Sequence, residues 1–331
     1  MPTSGGRVAR HDGSRTGPDH RTFVSRPRPS PARPAGLAVA LAAALGTWLV
    51  WWAMVTTWPG QRVEESVFET ADRFQDVVNH LVEPVLLLGS PPWLAAGLLA
   101  VCGIGVLRRR WAAAALAAAV ILGSNVTTQL IKDGVFHRTG LVGEWNRDIN
   151  TLPSGHVTVV AAAWAALLLV VPRGWRPATA VAGAAVTCAM SLATVADRWH
   201  RPSDVVAAVL VVVSWTALVC AVAPAGWAGP DDGPARRGDA GTRLVVVSLG
   251  AVAVPAAVLS VLAAAATEEH AWAVLPWAGG LTAYAGGLLA GCAISAAAFA
   301  VLLAVCQATA RAGRTLVQHR ACLRPNVSAP T

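Results

Sequence analysis

Eight long apolar runs dominate this 331-residue sequence. They cover approximately 35–57, 86–107, 111–131, 156–172, 177–197, 203–225, 243–266 and 277–306. A helix needs roughly 20 apolar residues to cross a bilayer core, so we predict an all-α fold, a polytopic transmembrane helix bundle of about eight spans. With 55% hydrophobic and 13% charged residues, the chain has more apolar surface than a water-soluble core can bury.

Basic residues divide unequally between the two sides of the predicted bundle. Of the 26 lysines and arginines, 19 fall in the N-terminal arm, the C-terminal tail and the connections on the same side, and seven fall on the opposite side. Because basic residues concentrate in cytoplasmic loops, we predict that both termini are cytoplasmic. The loop 132–155 and the turn 198–204 would then face outside the cell membrane.

The runs also suggest how the chain is organised. We predict a disordered basic arm over 1–34, a six-span core over 35–225, a cytoplasmic loop over 226–242, two additional transmembrane helices over 243–306 and a cytoplasmic tail over 307–331. The segment 58–84 has apolar residues at roughly helical spacing between charged ones, which predicts an amphipathic helix. It either lies on the membrane surface or packs on the bundle. The six cysteines have no paired or metal-type spacing and are interpreted as packing residues.

Three polar clusters lie at the outer ends of the third to sixth predicted spans. The first contains Lys132, the only lysine of the chain, and Arg138. The second is Pro-Ser-Gly-His over 153–156, at the start of the fourth span. The third is Trp-His-Arg-Pro-Ser-Asp over 199–204, at the start of the sixth span. Charged groups kept on the side where the charge bias disfavours them either have a local function there or bind lipid headgroups.

The second cluster has the features of an anion site. Ser154 is a good N-cap, and Gly155 allows the backbone to approach a ligand closely. The free N–H groups of the helix start and the helix dipole both favour a negative charge such as phosphate. His156, in the first helical turn, could donate or accept a proton there. An ordinary capped helix with an interfacial histidine is the alternative interpretation of this cluster alone.

The third cluster places a carboxylate beside an imidazole. His200 and Asp204 are four residues apart, and Pro202 suits a first helical turn, so both side chains fall on one helix face. A carboxylate bonded to one imidazole nitrogen fixes the tautomer and leaves the other nitrogen free to act as a nucleophile. Two histidine-bearing helix starts on one face, with a lysine and an arginine nearby, favour phosphate chemistry.

Together these clusters, with Pro153 to His156 intact and the His-x-x-x-Asp pair, resemble the type 2 phosphatidic acid phosphatase superfamily over roughly 60–225. The resemblance implies a membrane phosphatase without metal or other cofactor that hydrolyses a lipid phosphate or polyprenyl pyrophosphate outside the plasma membrane. By position, His200 would form a phosphohistidine, Asp204 would orient it and His156 would transfer protons. The implied phosphate-binding groups are Lys132, Arg138, Ser154 and Gly155. No nucleic-acid partner is expected.

Two departures from the family pattern bear on this assignment. Lys132 and Arg138 are one residue closer than is usual, with Thr139 where the family has proline. Thr194 stands where the family has a phosphate-binding arginine. We hypothesise that Arg198, one turn further along if the helix persists, replaces that arginine. A lipid transporter and a family member that binds lipid phosphate without turnover are the alternative functions.

Overall fold

In the part of the chain that it describes, the computed structural model consists of helices and their connections. The described residues are 32–142, 149–228, 235–268 and 276–322. The helices are α1 (Ala32–Val50), α2 (Trp58–Asp72), α3 (Gln75–Leu87), α4 (Pro91–Leu107), α5 (Trp111–Leu130), α6 (Gly155–Val170), α7 (Arg176–Ala196), α8 (Pro202–Val222), α9 (Ala235–Glu268) and α10 (Pro276–Cys322). Most of the predicted arm, residues 229–234 of the predicted loop and the end of the predicted tail lie outside the described residues.

Six helical segments among the described residues are long and apolar enough to cross a membrane. They are Ala32–Val55, Trp111–Val135, Arg173–Ala196, Pro202–Val222, Ala240–Thr267 and Ala278–Ala312. Two more predicted spans coincide with the shorter apolar helices Ala95–Leu107 and Gly155–Val170. The prediction of an all-α membrane bundle is confirmed. The count of eight spans and the orientation of the termini stay predictions.

Helices α6 and α8 form the centre of the bundle. Both are apolar around their whole circumference, which is the pattern of a helix buried on all sides. Their residues, including Val157, Leu169, Val205 and Val212, belong to one continuous core. In α9 only 11% of the most apolar window is buried, so this helix lies at the periphery. The two central helices begin with the second and third polar clusters.

The segment 58–84 forms two helices, which meet at a break around Arg73. The α2 face that contains Val67 is buried, and a Cβ added to Gly287 of α10 would lie 3.2 Å from that valine. The segment 58–84 was predicted either to lie on the membrane surface or to pack on the bundle. Helix α2 packs on the bundle. Its buried Gln61 is satisfied by hydrogen bonds from its amide to the carbonyls of Val55 and Thr139.

Four cysteines lie in two close pairs that connect α10 to the core helices. The sulfur atoms of Cys188 and Cys292 are 3.2 Å apart, and those of Cys220 and Cys306 are 3.6 Å apart. All four are free thiols. They fill helix interfaces, as predicted, but their proximity depends on how α7, α8 and α10 pack and cannot be deduced from sequence spacing.

Candidate active site

The starts of α6 and α8 are joined by a main-chain hydrogen bond. Ser154 is the N-cap of α6, as predicted, and its hydroxyl oxygen accepts a 3.4 Å hydrogen bond from the Val157 N–H. The Ser154 N–H donates to the carbonyl of Asp204, in the first turn of α8, at 3.0 Å. This bond places the histidine of each helix start beside the other. Ser154 is fully buried, and both its N–H and its hydroxyl form hydrogen bonds with protein groups.

The Asp204 carboxylate orients His200. Its Oδ2 atom lies 3.1 Å from Nδ1 of His200, and both side chains are buried. The same oxygen accepts hydrogen bonds from the Thr151 hydroxyl at 2.6 Å and from the Arg201 N–H at 3.0 Å. With Nδ1 engaged, Nε2 of His200 is the nitrogen available for chemistry. The sequence analysis did not identify Thr151, because a threonine in a loop has no characteristic spacing.

The two predicted catalytic histidines meet at one site. The ring centroids of His156 and His200 are 6.2 Å apart with an interplanar angle of 59°. The His156 ring also contacts Trp199 edge to face, with centroids 5.0 Å apart. On its other side lies Gly89, in the turn between α3 and α4, where a Cβ would come within 2.6 Å of the ring. The position of His156 therefore depends on a glycine that the sequence analysis did not identify.

A cationic cleft of about 320 Å³ lies next to His200. Three of its lining residues are cations, namely Lys132, Arg198 and Arg201. The other lining residues are Phe68, Thr151, Trp199 and His200. Lys132 is connected to the segment that precedes the second cluster, because its carbonyl accepts a 3.2 Å hydrogen bond from the Asn150 amide. Three cations beside His200 could bind a phosphoryl group.

Arg138 is engaged with a carboxylate from α2. Its Nη1 lies 3.1 Å from Oε2 of Glu64, and both side chains are buried. The second oxygen of Glu64 accepts a hydrogen bond from the Ser203 hydroxyl, in the first turn of α8. Burial raises the pKa of the Glu64 carboxyl, and the charge of Arg138 opposes that rise. Arg138 is not among the described residues lining the cleft, so its predicted contact with phosphate stays a prediction.

Arg198 lines the cleft, but it does not belong to helix α7 as the hypothesis required. Helix α7 ends at Ala196, and Arg198 has a left-handed backbone with φ of 59°. The helix therefore does not persist from Thr194 to Arg198, and the one-turn argument is wrong. The side chain nevertheless lines the cleft and forms an ion pair with Asp72.

An apolar groove of about 780 Å³ leads away from the two histidines. It lies between α4, α5 and α6 and shares Lys132 and His200 with the cationic cleft. Gly155, a predicted phosphate-binding residue, also lines it. Its other lining residues are Gly89, Ala95, Leu98, Ile121, Leu122, Asn125, Val126, Gln129, Leu130, His156 and Val159. A polar head in the cleft and an apolar chain in the groove would both be accommodated.

Within the described residues, no group of three or more histidine, cysteine, aspartate or glutamate side chains could hold a metal ion. The predicted absence of a metal cofactor stays a prediction. The positive charge that the described residues do bring to His200 comes from a lysine and two arginines.

The site is thus a pair of histidines beside a cationic cleft in a helical membrane bundle. Residues 111–227 match the sequence model of the PAP2 superfamily. That segment is therefore a domain of the type 2 phosphatidic acid phosphatase superfamily, and the resemblance predicted from the motifs is confirmed. It contains all three clusters, whereas α2, α9 and α10 lie outside it. No curated protein and no solved structure matches the chain.

Proposed function

We propose that this chain is an integral membrane phosphatase that hydrolyses a lipid phosphate or pyrophosphate at the extracytoplasmic face through a phosphohistidine intermediate. The observation that supports this most directly is the convergence of His156 and His200, with ring centroids 6.2 Å apart, at the cationic cleft. Asp204 holds Nδ1 of His200, which leaves one imidazole positioned as a nucleophile and the other available for proton transfer.

The groove supports a lipid substrate rather than a soluble phosphate ester. Its volume of about 780 Å³ and its mainly apolar lining suit a hydrocarbon chain, and it begins at the two histidines. A phosphoryl group bound by the cations of the cleft would have its attached chain directed into this groove. Phosphatidic acid, phosphatidylglycerophosphate and polyprenyl phosphates all have this combination of an anionic head and an apolar tail.

The proposed reaction has two chemical steps. In the first, Nε2 of His200 attacks phosphorus, a P–N bond forms, and the P–O bond to the leaving alcohol breaks while His156 gives that oxygen a proton. In the second, His156 takes a proton from water, the resulting hydroxide attacks phosphorus, and the P–N bond breaks to release orthophosphate. Lys132 and the cleft arginines stabilise the charge that develops on the phosphoryl oxygens in both steps.

The proposed orientation depends on the distribution of basic residues. Lys132, Arg198 and Arg201 are among the seven basic residues on the arginine-poor side of the bundle, and this side is extracytoplasmic by the positive-inside rule. A cysteine introduced at exposed Val135, beside Lys132, would be labelled by a membrane-impermeant maleimide in intact cells if this orientation is correct. A cysteine introduced at exposed Trp175, at the opposite end of the bundle, is the matched control that should stay unlabelled.

The decisive experiment is phosphate release by the purified protein from a panel of lipid phosphates in detergent, with and without EDTA. We expect His200→Ala to abolish release and His156→Ala to lower it strongly, because both proposed steps use the second histidine. Full activity in His200→Ala would rule out the mechanism. Tight lipid binding with no release by the wild type would support the binding-only alternative, for which the missing arginine at Thr194 is the motivating observation.

A further inference from the structure

Position 194, where the family pattern has an arginine, is a threonine in this chain and brings no positive charge to the site. Thr194 is fully buried, and its hydroxyl donates to the carbonyls of Met190 and Ser191 within α7. A guanidinium at this position would have supplied a forked pair of donors that matches phosphate geometry. If the chain is catalytically active, another residue has to supply those donors.

We propose that Arg201 is that residue, and that it binds the transferring phosphoryl group directly. The proposal rests on the phosphatase function proposed above. It assigns a catalytic role to a residue for which the family motifs imply none, because Arg201 stands between the histidine and the aspartate of the third cluster.

The surroundings of Arg201 support this assignment. The residue is 3% exposed and lines the cationic cleft together with His200 and Lys132. Its Nε is buried and has no hydrogen-bond partner within the described part of the chain. An unpartnered buried donor is energetically costly, and a phosphoryl oxygen bound in the cleft would supply the missing acceptor. The Arg201 N–H donates to Asp204, so the backbone at this position is fixed by the carboxylate that orients the nucleophile.

The other two arginines near the site are committed to carboxylates. Arg138 forms its buried ion pair with Glu64, and Arg198 pairs with Asp72 through a side chain that is 23% exposed. Phosphate binding by Arg198 would compete with its ion pair to Asp72. Arg138 also has two buried donors, Nε and Nη2, without a partner among the described residues, but it does not line the cleft. Arg201 has no such ion pair within the described residues, so its donors are available without breaking one.

Carboxylates and an aromatic ring surround the Arg201 guanidinium without forming a side-chain hydrogen bond with it among the described residues. The carboxylates of Glu64, Glu65 and Asp204 all interact electrostatically with it. Its guanidinium also lies over the face of Phe68, 5.3 Å from the ring centroid. A ring face attracts a cation without occupying its N–H donors. These contacts orient the guanidinium and leave its hydrogen-bonding capacity for a ligand.

The test compares three arginine-to-methionine variants, because methionine keeps much of the side-chain length and removes the charge. We expect Arg201→Met to lower kcat/KM by about 10²–10³-fold, the usual effect of losing one donor to a developing oxyanion. Arg198→Met should cost less than Arg201→Met. The matched control is Arg62→Met, since Arg62 also lies over an aromatic ring, that of Trp58, but is exposed and does not line the cleft. It should stay within about twofold of the wild type.

Chemical rescue separates a phosphate ligand from a packing residue. Millimolar guanidinium should restore part of the activity of Arg201→Ala, because the free cation can occupy the vacated space, and should restore none to His200→Ala. Wild-type activity in Arg201→Met would overturn the proposal, as would a larger loss in Arg198→Met. An inactive, well-folded Arg201→Ala that guanidinium does not rescue would also count against it.

A binding measurement keeps this proposal separate from the proposed function. Orthovanadate resembles the pentacoordinate phosphoryl group, so it should raise the unfolding temperature of the wild type and of Arg62→Met, but not that of Arg201→Met. If the wild type released no phosphate from any lipid and this pattern still held, the phosphatase function would fail while Arg201 remained the oxyanion ligand. Equal vanadate stabilisation of the wild type and Arg201→Met would reject Arg201 whatever the activity.

Discussion

Replacing Gly89 by alanine tests how the proposed proton donor is positioned. Gly89 lies in the turn between α3 and α4 and is not in the left-handed region, so the backbone itself accepts alanine. A Cβ there would lie 2.6 Å from Cδ2 and 2.8 Å from Cβ of His156. Since ordinary contact begins at 3.4 Å, the turn and His156 have to separate by about 0.8 Å at the ring and about 0.6 Å at Cβ, the differences between 3.4 Å and these two distances.

The size of the expected effect follows from that displacement. A misplacement of about 1 Å at a reacting group can cost about 10²-fold in rate, which corresponds to about 2.7 kcal/mol of transition-state stabilisation. We therefore expect Gly89→Ala to lower kcat by about 10²-fold. Binding of the phosphoryl group, which depends on the cleft beside His200, should change little. The loss cannot exceed that of His156→Ala, because both variants act through the same imidazole.

The assay is steady-state phosphate release in detergent, with the unfolding temperature measured in parallel. Gly103→Ala is the matched control, because Gly103 lies in the adjacent α4 and a Cβ there would have no heavy atom within 4 Å. If Gly89→Ala stayed within about threefold of the wild type while keeping its fold, then either His156 is not held by this turn or it does not transfer the proton.

Three further predictions concern side chains that support His200 or Arg138 through hydrogen bonds. Asp204→Asn should lower kcat by about 10²–10⁴-fold, because it favours the wrong tautomer of His200; phosphate-release kinetics measure this, and an unchanged kcat would contradict it. Thr151→Val removes one hydrogen bond to Asp204 and should cost about 1.5–3 kcal/mol of stability, seen as a lower unfolding temperature than that of the wild type. Glu64→Ala leaves the guanidinium of Arg138 buried and unpaired, which should cost about 3–5 kcal/mol; thermal unfolding in detergent checks this, and a stability equal to that of the wild type would show that the buried pair is dispensable.

Local chemistry made the helix starts of the site predictable from sequence. An N-cap serine, a first-turn proline and a His-x-x-x-Asp spacing depend on interactions within a few residues, so Ser154 and the pair His200 and Asp204 appear where the sequence places them. Six of the eight apolar runs likewise coincide with helical segments long enough to cross a membrane, since the length needed is fixed by the bilayer thickness.

Tertiary contacts made the rest of the site unpredictable from the same sequence. The partner of Arg138 is Glu64, 74 positions away on a helix outside the family segment, and no local pattern connects the two. The predicted end of the fifth span at 197 agrees with the end of α7 at Ala196, but the left-handed backbone of Arg198 could not be deduced from the sequence. Gly89 could not be identified either, because its role depends on a ring that belongs to α6.

The packing of α10 limits how the chain can be cut into fragments or combined with a related protein. A Cβ on Gly287 would lie 2.8 Å from Pro202, the first residue of α8, and one on Gly280 would lie 2.5 Å from the Thr70 hydroxyl of α2. The C-terminal helix thus packs closely against the first turn of α8 and against α2, which carries Glu64. A gene fragment encoding only 111–227 would lack both supports. In a chimaera with a related protein, α2 and α10 should be exchanged together, because they pack closely against each other at Thr70 and Gly280.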